Sequence, residues 1–307
     1  MDVTVVGAGV IGLSTALALE ERGHAVRVVA ADSGDATTSA VAGAVWFPYR
    51  VGPPARVAAW AARTRAWLEA IARAEPHAGV DVLVGYEITH GDDRPWWAAA
   101  VEVTRAPAPV AGAPPAWRFA APRAQPSLFL PFLAARLRAP IEQRVVVELA
   151  REAGDVVVNC AGLGARSLAG DHALVALFGQ VAIAAPGGAD LGVTITDDRD
   201  PDAIFYVIPR RGELVLGGCS RPHPPDAAPR VEPELTARIV AQARALGVLV
   251  GDVRAERVGL RPFRTEVRLE RDGRIVHNYG HGGAGFTLCR GCAEEVVALV
   301  EHRERSR

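Results

Sequence analysis

Hydrophobic and polar positions near the N-terminus follow two different periods. The runs VTVV (3–6) and AVRVVA (25–30) are short and apolar, as expected for buried strands. Between them, Val10, Leu13 and Leu17 share one face at helical spacing, and a glycine follows where the helix should end. The N-terminus is therefore predicted to form a strand–turn–helix–strand unit.

The next part of the chain predicts two helices on either side of a proline-dense segment. Residues 57–74 carry an amphipathic helical pattern, and 127–138 predict another helix. Prolines are frequent from 104 to 126, which excludes long regular elements there and favours loops and strand edges. Two short strands are then predicted over IEQRVVVEL (141–149) and DVVVNCAG (155–162).

The later part of the chain predicts a second, antiparallel sheet. Four segments of strand length are separated by turn residues: LVALFGQVAIAA (174–185), GVTITD (192–197), AIFYVIP (203–209) and ELVLGG (213–218). A helix is predicted at 233–246, followed by the strand RIVHNYG (274–280) and a last helix at 287–303. The pattern as a whole predicts an α/β protein with two domains.

Composition and charge exclude several classes of function. The 307 residues are 50% hydrophobic and carry a net charge of −1, which argues against nucleic acid or an anionic membrane as the main partner. All 34 basic side chains are arginine, so Schiff-base chemistry on a lysine is excluded. No apolar stretch is long enough to span a bilayer, and a strand begins at once in place of a signal peptide. A cytoplasmic protein is expected.

The four cysteines are too few to form a disulfide framework. Cys289 and Cys292 have the C-x-x-C spacing of redox sites, and a position at a helix start would favour a thiolate. No thioredoxin-like strand precedes them, and the second pair that a zinc site needs is missing. An incidental pair is the favoured interpretation and no metal is expected, while a disulfide through Cys219 or Cys289 stays open.

A glycine motif lies at the turn between the first strand and the first helix. Gly7, Gly9 and Gly12 have the G-x-G-x-x-G spacing of dinucleotide-binding proteins, in which phosphates bind the helix N-terminus. Asp32 follows the last glycine by about 20 residues, where an acid would bind a ribose hydroxyl. A tight turn without a ligand is the alternative. The motif predicts a dinucleotide but does not separate NAD from FAD.

A second glycine cluster lies near the C-terminus, in IVHNYGHGGAGFT (275–287). Upstream are VGLRPFRTEVRLE (258–270), FYVIP (205–209) and LGG (216–218), and TTSAVAGAVWFPY (37–49) follows the first motif. In this order, and together with VVGAGVIGLS and DVVVNCAG, these segments resemble the D-amino-acid oxidase family. The resemblance covers most of the chain and leaves only 51–130 weakly matched.

The resemblance implies FAD as the cofactor and a discontinuous domain arrangement. A Rossmann-like FAD-binding domain would comprise 1–50, 130–175 and 255–307. A substrate domain of 51–129 and 176–254 would be built on a mixed, largely antiparallel β-sheet with helices. The cofactor-binding residues implied are Gly7, Ala8, Gly9, Val10, Ile11, Gly12, Asp32, Thr37, Thr38, Ser39, Gly43, Ala44, Val45, Val146, Gly282, Gly283, Ala284, Gly285, Phe286 and Thr287.

The same resemblance implies how a substrate is held. Arg261 would bind the carboxylate of a D-amino acid, Tyr206 would donate a hydrogen bond to it, and the Gly283 carbonyl would accept one from the amine. Hydride transfer to flavin N5 would give a 2-oxo acid, ammonia and, with dioxygen, hydrogen peroxide. His277 and His281 are interpreted as structural hydrogen-bond partners. A monomer or homodimer is expected, with neutral or hydrophobic D-amino acids as substrates.

Four positions depart from the family pattern. The loop TDDRDPDAIF (196–205) is shorter than in animal members and lacks their lid tyrosine, which argues against gating. Ala284 replaces a bulkier residue, so a more open flavin face is expected. Phe178 stands where many members have arginine. In gapless register the ribose acid would fall on Ala31, so Asp32 is displaced by one position.

Other functions remain open at the level of sequence. A D-aspartate oxidase would need a further cation, for which Arg199 and Arg210 are candidates. A glycine- or sarcosine-type amine oxidase shares the cofactor fold. More remote alternatives are an NAD-dependent dehydrogenase and a flavin-binding protein without turnover.

Overall fold

The computed structural model describes residues 1–110, 112–197, 199–200 and 204–302. Fourteen strands form one sheet: β1 (Asp2–Val6), β2 (Ala25–Ala30), β3 (Val80–Ile88), β4 (Thr104–Ala106), β5 (Ala116–Ala124), β6 (Glu142–Gln143), β7 (Val156–Asn159), β8 (Val175–Ala184), β9 (Val193–Asp197), β10 (Phe205–Arg210), β11 (Glu213–Gly217), β12 (Arg221–His223), β13 (Val253–Asp272) and β14 (Ile275–His281). The helices are α1 (Val10–Glu21), α2 (Thr38–Val41), α3 (Pro54–Ala74), α4 (Pro126–Ala134), α5 (Ala165–Leu168), α6 (Pro233–Ala245) and α7 (Gly285–Glu301).

Parallel strands form one end of the sheet, in the order β14, β7, β1, β2 and β6. Strands β1 and β7 are almost completely buried, as expected where helices cover both faces of a parallel sheet. The carboxyl ends of these strands meet at one edge, which is where ligands bind in open α/β sheets. The predicted strand–turn–helix–strand unit is confirmed.

Antiparallel strands form the middle of the sheet, where β8, β11, β10 and β9 are neighbours and β3 continues it in parallel with β9. The 20-residue strand β13 pairs with β8 along its first half and with β14 along its second half. It therefore runs continuously from the antiparallel to the parallel part. The α/β class with a mixed, largely antiparallel second sheet region is confirmed, while the domain boundaries stay a prediction.

Helices α1 and α3 pack on α7 and bury the largest hydrophobic cluster. Gly291 of α7 lies directly against the backbone of Trp60 in α3, where a Cβ atom would overlap the Trp60 carbonyl. The Trp60 indole donates a hydrogen bond of 2.6 Å to Glu295 of α7. Glycine at this position therefore sets how closely the two helices approach.

The expectation of no long element between 104 and 126 was wrong. Strand β5 has nine residues and includes Pro122. Beyond the three residues paired with β4, β5 lies at the edge of the described sheet, where a proline costs no ladder hydrogen bond. The Pro122 carbonyl also accepts a hydrogen bond of 2.7 Å from the Trp46 N–H.

The strand predicted over 141–149 was also too long. Only Glu142–Gln143 pair in the sheet, with β2. Val145 and Val147 are 69% and 81% exposed, and Val146 packs in a small hydrophobic cluster with Val6 and Val157. The valines of this run are not buried in a strand. They lie beside a cavity, and two of them are exposed. Strand β3 was not predicted.

Candidate active site

The two glycine clusters meet at one cavity of about 780 Å³. It is bounded by the turn after β1, the start of α1, the segment 37–45, and the residues that join β14 to α7. The predicted cofactor residues that line it are Gly7, Ala8, Gly9, Val10, Ile11, Asp32, Thr37, Thr38, Ser39, Gly43, Ala44, Val45, Val146, Gly282, Gly283, Gly285 and Phe286. Ala31 lines it beside Asp32, so both candidates for the ribose acid position reach the cavity.

The start of α1 has the features of a phosphate site. Gly7 has φ +117°, and a Cβ there would overlap the Cys160 carbonyl. A Cβ on Gly9 would lie 3.0 Å from Ser39 Oγ, which accepts a hydrogen bond of 3.0 Å from the Val10 N–H. The N-cap residue of α1, Gly9, makes no side-chain cap, and Ser39 occupies only the Val10 N–H. The other N–H groups of the first turn are therefore available to an anion that fills the cradle.

Three predicted cofactor residues do not line the cavity. A Cβ on Gly12 would overlap the Gly7 carbonyl, so its role is close packing of α1 on the turn. Ala284, the residue before α7, is fully buried. It therefore does not open the cavity, and the expectation that it would was wrong. The Thr287 hydroxyl donates to the Phe47 carbonyl at 2.9 Å and accepts from the Phe47 N–H at 3.0 Å. Thr287 thus fixes α7 to the segment 37–49.

Arg261 reaches the cavity from β13 and is half-buried. Its Nη1 donates to the Cys219 carbonyl at 2.8 Å and to the Phe178 carbonyl at 3.3 Å. A Cβ on Gly179 would overlap the guanidinium, so the absence of a side chain there makes the space for it. Within the described part of the chain, neither Nε nor Nη2 bonds a backbone carbonyl, and the Tyr206 hydroxyl lies within hydrogen-bond reach of the guanidinium. Nε and Nη2 remain available for a carboxylate.

Tyr206, which is on β10, lies beside Arg261 and also lines the cavity. Its ring packs flat against Gly217 and Gly218, where a Cβ on either residue would collide with it. Burial raises the pKa of the Tyr206 hydroxyl, and the nearby Arg261 guanidinium lowers it by less. The hydroxyl is therefore protonated at neutral pH and is a hydrogen-bond donor.

Gly283 brings the second glycine cluster next to Arg261. A Cβ on Gly283 would lie 2.9 Å from Tyr49 Cδ1 and 3.7 Å from Arg261 Cδ. Gly282 has φ +55°, and its N–H donates to the Pro262 carbonyl at 2.8 Å. The turn is thus held against the strand that carries Arg261. All three residues predicted to be catalytic line one cavity.

Asn278, Tyr279 and His281 of β14 also line the cavity, although they were not among the predicted contacts. The Tyr279 hydroxyl donates to Asp171 Oδ2 at 2.8 Å, and Arg264 Nε lies 3.0 Å from the same oxygen. Burial lowers the pKa of His281 to about 3, so its imidazole is neutral. The sequence could have predicted these residues, because they belong to HNYGH (277–281) in the second glycine cluster.

The loop after β7 is a further part of the wall that sequence reasoning missed. Residues 160–164 line the cavity because β7 is the neighbour of β1 in the parallel sheet. The Ala161 N–H donates a hydrogen bond of 3.2 Å to Asn159 Oδ1, which holds this loop in place. Gly179 also lines the cavity and was likewise not predicted. DVVVNCAG resembles a family segment, but the sequence does not show that its last residues face the cavity. The order of the strands in the sheet places them there.

The candidate cations for a side-chain carboxylate lie elsewhere. Arg199 pairs with Asp197 at 2.8 Å, and Arg210 donates to the Ala42 carbonyl and lies 3.4 Å from Glu213. Neither arginine lines the cavity, so the suggestion that one of them could bind a side-chain carboxylate was wrong. The predicted short loop 196–205 falls partly on residues 198 and 201–203, which lie outside the described residues.

The cysteines are free and buried, and none is paired. Burial raises the pKa of Cys289 to about 11 and that of Cys292 well above its usual value. The thiolate that redox chemistry needs is therefore disfavoured. The disulfide through Cys219 or Cys289 that the sequence left open is not formed. The described residues contain no group of three or more side chains arranged to hold a metal.

Comparison with known proteins identifies the family. The model of the FAD-dependent oxidoreductase family matches residues 2–299. The chain belongs to this family. It is 42% identical to a D-amino-acid oxidase of Rubrobacter xylanophilus, over 96% of this chain and 94% of that protein. It is 40% identical to a D-amino-acid oxidase of Streptomyces coelicolor, over 97% of this chain and 96% of that protein. The resemblance to D-amino-acid oxidases is thus confirmed.

More distant relatives share the fold. A human D-aspartate oxidase is 31% identical over 97% of this chain and 94% of its own length. The crystal structure of a glycine oxidase from Geobacillus kaustophilus superposes with a TM-score of 0.78 at 20% identity, over 99% of this chain and 95% of that one. No helix in the described part of this oxidoreductase is long and apolar enough to cross a membrane.

FAD, the cofactor of this oxidoreductase family, fits the cavity. The uncapped start of α1 and the cradle at Gly7 and Gly9 suit a pyrophosphate. The cavity wall between this cradle and Arg261 is largely apolar, as a planar ring system requires. Gly283 and Gly43 then border the end at which Arg261 and Tyr206 lie.

Proposed function

We propose that this oxidoreductase is a D-amino-acid oxidase that uses FAD and dioxygen. The observation that carries the proposal is the meeting of Arg261, Tyr206 and Gly283 in one cavity with the dinucleotide cradle. The two relatives with 40% and 42% identity, both named D-amino-acid oxidase, support it. The products are a 2-oxo acid, ammonia and hydrogen peroxide.

Arg261 and Tyr206 bind the substrate carboxylate. Nε and Nη2 of Arg261, which bond no backbone carbonyl, match the two oxygens of a planar carboxylate, and the protonated Tyr206 hydroxyl donates a third bond. A hydrogen bond to a charged group contributes about 1.5–3 kcal/mol. The Cys219 and Phe178 carbonyls hold Nη1 and so orient the guanidinium before substrate binds.

Gly283 determines which enantiomer reacts. Its carbonyl accepts a hydrogen bond from the amine, while Arg261 holds the carboxylate, so two of the four groups on the α-carbon are fixed. Exchange of these two anchors would require the opposite hand. When bound, FAD accepts a hydride from the α-carbon and is reoxidised by dioxygen, and water then hydrolyses the imino acid.

Proton transfer does not require a basic side chain. A substrate whose amine is neutral loses the α-hydrogen as hydride, and the amine nitrogen supplies the electron pair of the new C=N bond. His281 lies in the wall, but burial lowers its pKa to about 3, so its imidazole is too weak a base to take a proton at neutral pH. The chain therefore acts chiefly by positioning.

Neutral or hydrophobic side chains suit the part of the cavity next to Arg261. Val45, Phe47 and Ile208 line it, and these side chains are apolar. A D-aspartate oxidase, the second candidate, would need a cation there. The two arginines considered for that role bind carboxylates or a carbonyl, and neither lines the cavity.

Anaerobic reduction of the bound flavin tests the proposal. We expect D-alanine and D-norleucine to bleach the flavin bands, with no bleaching by the L-enantiomers. With air, peroxide should form in equal amount to the 2-oxo acid. A protein that is yellow but unreduced by every D-amino acid would indicate a binding protein, and a colourless protein that reduces NAD would indicate a dehydrogenase.

A further inference from the structure

The antiparallel strands give the cavity two hydroxyl groups. Of the residues on β8 to β11, those that line the cavity are Gly179, Val181, Thr196, Tyr206 and Ile208. The proposed function assigns the Tyr206 hydroxyl to the substrate carboxylate. It leaves Thr196 of β9 without a role, although the hydroxyl of Thr196 belongs to a wall whose other side chains, Val181 and Ile208, are apolar.

The Thr196 hydroxyl is unpaired and accessible. Thr196 is 9% exposed, and no residue in the described part of the chain forms a hydrogen bond with its hydroxyl. The hydroxyl is also not among the unpaired side-chain atoms that are closed to solvent. The other threonine of β9 differs, because Thr194 donates to the Val207 carbonyl at 2.9 Å and does not line the cavity. A ligand that bonds to the Thr196 hydroxyl would remove the cost of an unpaired polar group in an apolar wall.

The strand on the other side of β9 adds no charge to this wall. Glu87 of β3 is in register with Thr196, but it has an interaction of its own and does not line the cavity. Among the described residues that do line it, the charged side chains are Asp32 at the dinucleotide cradle and Arg261 at the carboxylate site. A charged group beside Thr196 would therefore lose water without gaining a counter-ion.

Strand pairing places Thr196 across the Tyr206 ring from the carboxylate site. Thr196 is in register with Tyr206, so both side chains are on one face of the sheet. Gly217 is the partner of Tyr206 on the opposite side, and a Cβ there would overlap the Tyr206 hydroxyl. The two hydroxyls are therefore separated by two strand spacings, which is roughly 10 Å.

A substrate of moderate length spans this distance. In glutamine, bonds of about 1.5 Å in zigzag join the carboxylate carbon to the side-chain amide, which gives a reach of about 6 Å. Hydrogen bonds of about 3 Å extend the reach at each end. A carboxamide has both donors and an acceptor, and a hydroxyl can pair with either.

We propose that Thr196 is a specificity-determining residue, whose hydroxyl binds the end of a neutral polar substrate side chain. The substrate class is D-amino acids that end in a carboxamide, such as D-glutamine. This inference rests on the proposed function, because Arg261 and Tyr206 must hold the α-carboxylate while the side chain crosses the Tyr206 ring.

Substrates of equal chain length test the proposal in the wild-type protein. D-glutamine, D-glutamate and D-norleucine end in an amide, a carboxylate and a methyl group, and D-alanine measures turnover without this contact. We expect kcat/KM for D-glutamine to exceed that for D-glutamate by about tenfold or more, because the second carboxylate loses its hydration in an apolar wall.

The variant Thr196→Val keeps the shape of the side chain and removes the hydroxyl. We expect the ratio of kcat/KM for D-glutamine to that for D-norleucine to fall about fivefold, mostly through KM, as the loss of one hydrogen bond between neutral groups allows. Thr196→Ser keeps the hydroxyl and should retain most of the ratio. Thr194→Val is the matched control on the same strand, and it should leave the ratio unchanged although its bond to Val207 is lost.

The outcomes are distinguishable. An unchanged ratio in Thr196→Val, or an equal fall in Thr194→Val, would overturn the role of Thr196 and leave the proposed function intact. Oxidation of D-glutamate as fast as D-glutamine would overturn the neutral substrate class, and this comparison decides even if Thr196→Val does not fold. No turnover of any D-amino acid, including D-alanine, would contradict the proposed function and this contact with it.

Discussion

Glycines, which have no side chain, make the space that Arg261 and Tyr206 occupy. The guanidinium occupies the space that a side chain at Gly179 would fill, and the Tyr206 ring lies against Gly217 and Gly218. Each glycine thus has a steric reason that its own sequence neighbourhood does not reveal. Gly179 and the two glycines of LGG (216–218) therefore make the space for the two groups that bind the carboxylate.

Replacing Arg261 tests the carboxylate site at the scale of one residue. We expect Arg261→Leu to lower kcat/KM for D-alanine by about 100-fold or more, because two charge-assisted hydrogen bonds are lost. The flavin spectrum should be retained. Arg257→Leu, at an exposed position of the same strand, is the control and should keep most activity. Near-normal kinetics of Arg261→Leu would remove Arg261 from the site.

His281 should make stability depend on pH. Burial lowers its folded-state pKa to about 3, whereas the unfolded value is about 6.5. The unfolded chain then binds more protons between these values, so the free energy of unfolding falls as pH decreases below about 6.5, by up to about 1.4 kcal/mol per pH unit. Urea unfolding at pH 5, 6 and 7 measures this slope. The slope should be smaller in His281→Gln, and an identical slope would contradict the burial argument.

The crossing of α3 and α7 is a close contact between two elements. The Trp60 backbone lies where a Cβ on Gly291 would be, and backbone cannot move aside as a flexible side chain can. The α7 helix also carries the turn that brings Gly283 to the cavity. A change at the crossing should therefore affect both stability and cofactor binding.

Gly291→Ala tests this contact. We expect it to destabilise the protein by about 2 kcal/mol or more, as overpacking of a buried contact does, and to weaken FAD retention. Thermal unfolding and dialysis against buffer without FAD measure the two effects. Gly192→Ala is the control, because Gly192 does not line the cavity and its Cβ would meet only the end of the Asp190 side chain, at 3.3 Å. A Gly291→Ala protein as stable as the wild type would show that the helices can separate freely.

At the scale of the whole molecule, Asp171 joins three distant parts of the chain. Its carboxylate accepts from Tyr279 of β14 at 2.8 Å and lies 3.0 Å from Arg264 Nε and 3.8 Å from Arg268 Nη1, where β13 shifts its register against β14. Burial alone would raise the pKa of Asp171, but the Tyr279 hydroxyl and the Arg264 guanidinium lower it overall.

A depressed carboxyl pKa stabilises the folded state above the unfolded value of about 3.9, and this contribution is lost as pH falls through the lower folded value. We expect Asp171→Asn to lower the melting temperature by about 2–4 °C at pH 7, with a smaller difference at pH 3. Differential scanning calorimetry at the two pH values measures it. A difference independent of pH would mean that the charge of Asp171 is not what stabilises this junction.

FAD itself should stabilise the whole chain, because its cavity is built from both ends of the sequence. A ligand at 100 times its Kd adds about 2.7 kcal/mol when it binds only the folded state. We expect the melting temperature of the protein freed of FAD to rise as FAD is added, and to rise less when Gly9→Asp places a charge in the phosphate cradle. A melting temperature unaffected by FAD would contradict binding at this cavity.

The sequence alone determined the N-terminal strand–turn–helix–strand unit, the four antiparallel strands β8 to β11 and the FAD-dependent class. Spacing within one element is a local property, and glycine motifs mark local turns, so both are readable along the chain. It misjudged 104–126 and 141–149, because the edge position of Pro122 and the exposure of Val145 and Val147 depend on neighbours in space.

Only the tertiary structure decided what faces the cavity. Strand order places residues 160–164 beside the first glycine motif, and close packing explains why Gly179 is next to Arg261. It also turned Thr287 towards Phe47 and placed Thr196 beside Tyr206 in the cavity wall. These relations join residues far apart in the chain, and the physical reason is that packing and pairing between strands act across space without leaving a periodic trace in the sequence.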